Sequence, residues 1–258
     1  MLLEWLKNRR RKALRQAGLP QALTDALPGC LWQYDALDAP LQDRIREDVA
    51  VLLAEKNWEG CGGLEMTEYI KLTIAAQVAL VTLGFERQYF DSVLSILVYP
   101  DAFQQPDQQT RSGIVLERGS PRIGEAWHRG PVILSWSDVS ESAAGPNQGR
   151  FLVAHEFAHQ LDMLNNGDAD GVPPMESDQQ AKRWITVLNE AWRRLRRDCR
   201  TGSDPLVDSY GATNRSEFFA VVSEAFFQTP QRIAWQEHEL YEAFKEYYRL
   251  DPMTWAAG

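Results

Sequence analysis

Two histidines four residues apart, with a glutamate beside the first, sit inside the apolar run Phe151-Leu152-Val153-Ala154-His155-Glu156-Phe157-Ala158-His159, which continues to Leu161 and Leu164. Four residues is about one helical turn, so both imidazoles lie on one helix face. Burying two histidines and a glutamate on so apolar a helix is costly unless they meet a partner. A metal ion is such a partner. His155 and His159 suit it as ligands, and Glu156 overlooks the same spot as a base toward a water held there. A pair of hydrogen-bonded core histidines is the competing reading, and the apolar surroundings weigh against it. Asn166-Gly167 stops the helix. Asp162, on the same face, reads either as the acceptor of a ligand's second ring N–H or as a helix-end residue bonded to backbone or solvent.

A catalytic zinc takes three protein ligands and leaves one position open. Neither remaining histidine, His128 or His238, lies in a helical pattern that points inward. A second apolar helix is predicted over residues 213–227, and it carries two acids seven apart, Glu217 and Glu224. Asn214 as N-cap would pair with Glu217 in a capping box, whereas Glu224 sits among Val222, Ala225, Phe226 and Phe227 and needs a cation or donors. Periodicity leaves either glutamate as third ligand. It does imply that this helix faces the histidine helix.

The rest of the chain sets the frame. With 258 residues, 44% apolar and 24% charged, it is long enough for a sizeable core. A net charge of −9 argues against a general nucleic-acid partner, which needs a basic surface. Cys30, Cys61 and Cys199 form neither a disulfide framework nor a zinc ribbon, and a reducing, cytoplasmic setting is the simplest expectation. No secretory signal or membrane-spanning stretch is visible. The basic run Arg9-Arg10-Arg11-Lys12 follows Leu2, Leu3, Trp5 and Leu6; it reads as a solvated helix or arm, the alternative being a helix on an acidic membrane surface.

Apolar residues at helical spacing predict helices over residues 41–56 and 67–83, with Gly84 just past the second and a break at Gly60-Cys61-Gly62-Gly63 between them. The first 90 residues therefore read as all-helical. Residues 92–99, 114–117, 122–127 and 132–136 are candidate strands, with a polar loop over residues 101–112. Helices return from residue 148, and Asn166 to Gly171 reads as a turn. The expected class is α+β, mainly helical, with a small sheet that the short connections suggest is mixed or antiparallel.

The H-E-x-A-H-x-L-D run from His155 to Asp162, the following Gly167-Asp168 and Gly171-Val172-Pro173, and the E-x-F-A-V-x-S-E run from Glu217 to Glu224 resemble the Mlc titration factor A (MtfA) family. Trp127 with Gly130-Pro131-Val132-Ile133-Leu134-Ser135-Trp136 looks like the family's segment before its metal helix. The resemblance implies a gluzincin-type zinc metallopeptidase related in fold to the anthrax lethal factor peptidase domain. It implies one zinc per chain on His155, His159 and Glu217, with Glu156 as acid/base and Tyr210 donating a hydrogen bond to an oxyanion. Glu224 then becomes a residue that orients a histidine ligand, and a zincin-like domain over residues 91–258 follows a helical region over 1–90. The strand over residues 131–136 would hold an extended substrate.

Two functions follow as expectations. One is hydrolysis of short peptides by a zinc-activated water, aminopeptidase-like, with a role in sugar uptake. The other is sequestration of an Mlc-type transcriptional repressor without catalysis.

Overall fold

The computed structural model describes residues 2–101, 130–146, 149–165 and 167–255. Ten helices and three strands are found among them. The chain opens with α1 (Leu2–Ala17), α2 (Gln21–Cys30) and α3 (Ala39–Glu55). After β1 (Asn57–Gly60) come α4 (Glu68–Val81), β2 (Ser95–Tyr99), β3 (Val132–Ser135) and α5 (Trp136–Ala144). The remainder is helical: α6 (Leu152–Asp162), α7 (Asp178–Thr201), α8 (Arg215–Gln228), α9 (Pro230–Gln236) and α10 (His238–Tyr248). The class is mainly helical α+β.

Local chemistry accounts for many helix starts. Asp38, Thr67, Ser135, Ser177 and Asn214 each accept a first-turn N–H of α3, α4, α5, α7 and α8 respectively. Residues 72–81 of α4 are buried on every side, as its apolar composition demands. Gly84 plays a different part from the expected helix stop. Thr82 is the C-cap of α4, and a Cβ on Gly84 would lie 1.9 Å from the carbonyl oxygen of Tyr248. Absence of a side chain is what lets the two backbones touch.

The sheet corrects two expectations. The first 90 residues are not all-helical, because β1 occupies the segment leading into the Gly60–Gly63 break. Among the described residues the sheet is parallel, where the short connections suggested a mixed or antiparallel one: its order is β1-β2-β3 and both pairings are parallel, with Trp58 opposite Ile96 and Ile96 opposite Val132. The link from β1 to β2 runs through α4, and such a crossover, unlike a hairpin, returns the chain in the same direction. Asn57-Trp58-Glu59-Gly60 is four residues with a single large apolar side chain, too short to carry a periodic signal. The candidate strands at 114–117 and 122–127, the loop over 102–112, Trp127 and His128 lie outside the described residues.

Ile96, Val98, Val132 and Leu134 turn inward from β2 and β3. Against them packs α6, which is also flanked by α4 and α8. Phe157 of α6 meets Phe90 edge-on, with ring centres 4.8 Å apart. Behind α8, Phe219, Phe226 and Phe227 interlock with Phe244 and Tyr248 of α10. The two helices carrying the candidate ligands are thus braced on their outer faces, which holds their inner faces in register.

Candidate metal centre

His155 and His159 project from the first and last turns of α6 toward the first turn of α8. Glu217 sits in that turn because Asn214 caps the helix, its side chain accepting the Glu217 N–H at 2.9 Å. Oε2 of Glu217 lies 3.2 Å from Nε2 of His155 and 3.3 Å from Nε2 of His159, and the two Nε2 atoms are 3.3 Å apart. Among the described residues this is the group of three whose donor atoms converge in this way. His238, exposed at the start of α10, takes no part.

The triangle passes a simple test of fit. Tetrahedral zinc with bonds of about 2.0–2.1 Å places its ligand atoms about 3.3–3.4 Å from one another. Two imidazole nitrogens and a carboxylate oxygen are also the donor set of an open, three-ligand zinc site. The residues present therefore fit the group.

The far ring nitrogens are held as well. Nδ1 of His155 lies 2.7 Å from Oε1 of Glu224, whose other oxygen accepts the Phe151 N–H at 2.6 Å. Nδ1 of His159 lies 2.9 Å from the Ser216 hydroxyl. With Nδ1 engaged on each ring, Nε2 is left to face the centre. Asp162 does not fill this place. Fully buried, it accepts the Gly171 N–H at 2.7 Å, while Gly171 accepts the Trp184 indole N–H at 2.8 Å. Ser216 was not foreseen; its only signal was its place next to Glu217, on the side of α8 that turns toward α6.

Electrostatics bind the group together. Burial alone would lower His155, but Glu217 and Glu224 outweigh it and hold the imidazole well above its ordinary pKa. Burial opposes ionisation of Glu217 too, yet hydrogen bonds from His155 and His159 bring it far below the usual carboxylate range. Glu156 is half-buried beside them and is raised, chiefly by burial, with the histidines pulling the other way. Asp162 is pushed up to about 6 by burial, against the pull of the Gly171 N–H. A divalent ion competes with the protons that otherwise compensate these charges.

Tyr210 lies in a 3₁₀ turn, Ser209–Ala212, entered through Asp208, whose carboxylate accepts the Tyr210 N–H at 2.9 Å. Its ring centre is 6.2 Å from that of His155. The structure thus brings His155, His159, Glu217, Glu224, Glu156 and Tyr210 to one place.

Comparison with known proteins agrees with this arrangement. A protein of Synechocystis sp. (strain PCC 6803), itself uncharacterized, is 33% identical over 253 residues, covering 97% of this chain and 90% of that protein. Proteins named Mlc titration factor A from Yersinia pestis (strain Pestoides F) and Yersinia pseudotuberculosis serotype O:1b are each 32% identical over 221 residues, covering 84% of this chain and 81% of theirs. A family profile described as glucose-regulated metallo-peptidase M90 matches residues 5–249. The chain belongs to the M90 metallopeptidase family.

Proposed function

We propose that this protein is a zinc-dependent peptidase whose metal is held by His155, His159 and Glu217. The observation that carries the reading is the triangle of donor atoms 3.2–3.3 Å apart with both outer imidazole nitrogens engaged. Zinc bound there supplies a Lewis acid that polarises the scissile carbonyl and acidifies the attacking water.

The chain's own residues do the rest. Glu156 takes the water's proton and returns it to the departing amine, a role its raised pKa suits. Glu224 and Ser216 keep the two rings oriented. Tyr210, beside His155, donates a hydrogen bond from its phenol to the oxyanion of the tetrahedral intermediate. β3 is an outer strand of the described sheet and packs on α6, so an extended peptide adding to it would be presented to the centre. Short peptides processed from the amino end are the proposed substrates.

The test is metal analysis joined to peptide hydrolysis in the wild type and in Glu156→Gln. The variant is expected to keep its zinc and lose hydrolysis. Full activity in Glu156→Gln would remove the mechanism.

A second reading is favoured by one observation, the name Mlc titration factor A carried by relatives 32% identical to this chain. On that reading the protein sequesters a repressor of the Mlc type and so influences sugar uptake. Glu156→Gln separates the two, since repressor binding would survive it.

A further inference from the structure

α1 is fastened to the protein along one side. Arg11 pairs with Glu55 at 2.6 Å and also with Asp91, while its guanidinium lies 4.6 Å over the Tyr89 ring. Lys7 pairs with Asp91 at 2.8 Å, and Leu14 packs against the core.

The outward side differs in kind. Leu3 is 81% exposed, Trp5 55% and Leu6 47%. Leu94, just before β2, is 62% exposed and lines with Leu6, Lys7 and Arg10 a surface depression of about 420 Å³. Half of the large apolar side chains exposed on the described surface are these four. They are followed along the helix by the exposed cations Arg9, Arg10 and Lys12, with Arg9 lying 5.5 Å over the Trp5 ring.

The charge balance is equally local. α1 carries Lys7, Arg9, Arg10, Arg11, Lys12 and Arg15 against the single acid Glu4, in a chain of net charge −9. Glu55 and Asp91, the acids bordering the depression, are already paired with Arg11 and Lys7. Lys56, also on its border, turns its ammonium inward to the carbonyls of Phe90 and Val93. What faces outward is an apolar tip behind which stands a cluster of cations.

A nucleic acid would satisfy the cations and leave the leucines in water. An anionic bilayer satisfies both, with headgroups meeting the cations and the acyl boundary receiving the apolar tip. We propose that α1 docks the protein reversibly on an anionic lipid surface, inserting Leu3, Trp5, Leu6 and Leu94 and setting Arg9, Arg10 and Lys12 against the headgroups. Reversibility follows from the small number of inserted side chains, and the net negative charge of the remaining chain leaves this end as the one a negative surface attracts.

The experiment is co-sedimentation of the full chain with large vesicles, either of phosphatidylcholine alone or of phosphatidylcholine and phosphatidylglycerol in a three-to-one ratio. Binding is expected to the anionic vesicles at low salt, with little to the neutral ones and release at high salt. Arg9→Gln/Arg10→Gln/Lys12→Gln should lower the partition about 100-fold, at about fivefold per charge. Trp5→Ser/Leu6→Ser should also abolish sedimentation while leaving the thermal melt and peptide hydrolysis unchanged. Equal binding to both vesicle types, binding to neither, or undiminished binding of either variant would each overturn the proposal.

Discussion

Glu224 and His155 are joined at 2.7 Å, carboxylate oxygen to Nδ1, and the same carboxylate accepts the backbone N–H of Phe151 at the start of α6. One side chain of α8 therefore fixes both the position of the neighbouring helix's start and the orientation of a ring one turn further on. A negative charge at a helix N-terminus is favourable in itself. Its consequence at the centre is that Nε2 of His155 points to Glu217.

Replacing Glu224 by alanine should therefore weaken zinc binding about 10- to 100-fold while His155, His159 and Glu217 all remain. Competition with a chromophoric chelator measures this. Unchanged affinity would mean that the Glu224 carboxylate does not orient the ring.

Removal of a ligand should act more severely. His155→Ala and Glu217→Ala are expected to purify without stoichiometric zinc, and Glu156→Gln to retain it with a hydrolysis rate lower by about 10²–10⁴. Retention of full zinc in both ligand variants would dismiss the site.

Zinc should also stabilise the fold, because binding to the folded state alone shifts the equilibrium by mass action. At a free concentration 100 times the dissociation constant the gain is about 2.7 kcal/mol. Scanning calorimetry with and without a chelator should show the difference as a fall in Tm, and Glu217→Ala should show almost none.

Gly171 holds the two site helices at their spacing. Its φ is +82°, and a Cβ there would lie 2.6 Å from the carbonyl oxygen of Arg215, the first residue of α8. Gly171→Ala should cost at least about 1–2 kcal/mol from the left-handed backbone alone, with the clash adding to it. Urea unfolding of the metal-free variant measures the loss, and an unchanged midpoint would refute it.

Lys56 sets a pH dependence remote from the centre. Burial pulls it down to about 8, with Asp91 and Glu55 opposing. Below pH 8 the folded and unfolded chains both hold its proton. From about 8 up to its ordinary value of 10.5 the unfolded chain holds a proton that the folded chain has released, so this residue's contribution to stability rises with pH. Comparing urea midpoints at pH 7.5 and 10, the wild type should improve relative to Lys56→Met by on the order of 1–3 kcal/mol. No relative change between the two pH values would contradict it.

Much of the centre was readable from local spacing. His155-Glu156-x-x-His159 requires only that residues four apart share a helix face, and the apolar neighbours ensured that this face is buried. Glu217 and Glu224 were likewise recognisable as acids on one side of a second buried helix. Their division of labour was not. They stand on opposite edges of the same imidazole, Glu217 at Nε2 and Glu224 at Nδ1, and periodicity alone treats them alike.

The amino-acid sequence by itself determined α3, α4, α6 and α8, the shared face of the two histidines and the need for a cation or donors among buried acids, because these are properties of a few adjacent turns; α5, in a stretch that reads as strand and loop, it did not. Tertiary structure decided that Ser216 rather than Asp162 meets His159, that β1 joins a parallel sheet, and that Gly84 serves a backbone contact with Tyr248. Each of these depends on the distance between elements far apart in the chain. Such distances are set by packing of the whole core, which no local pattern records.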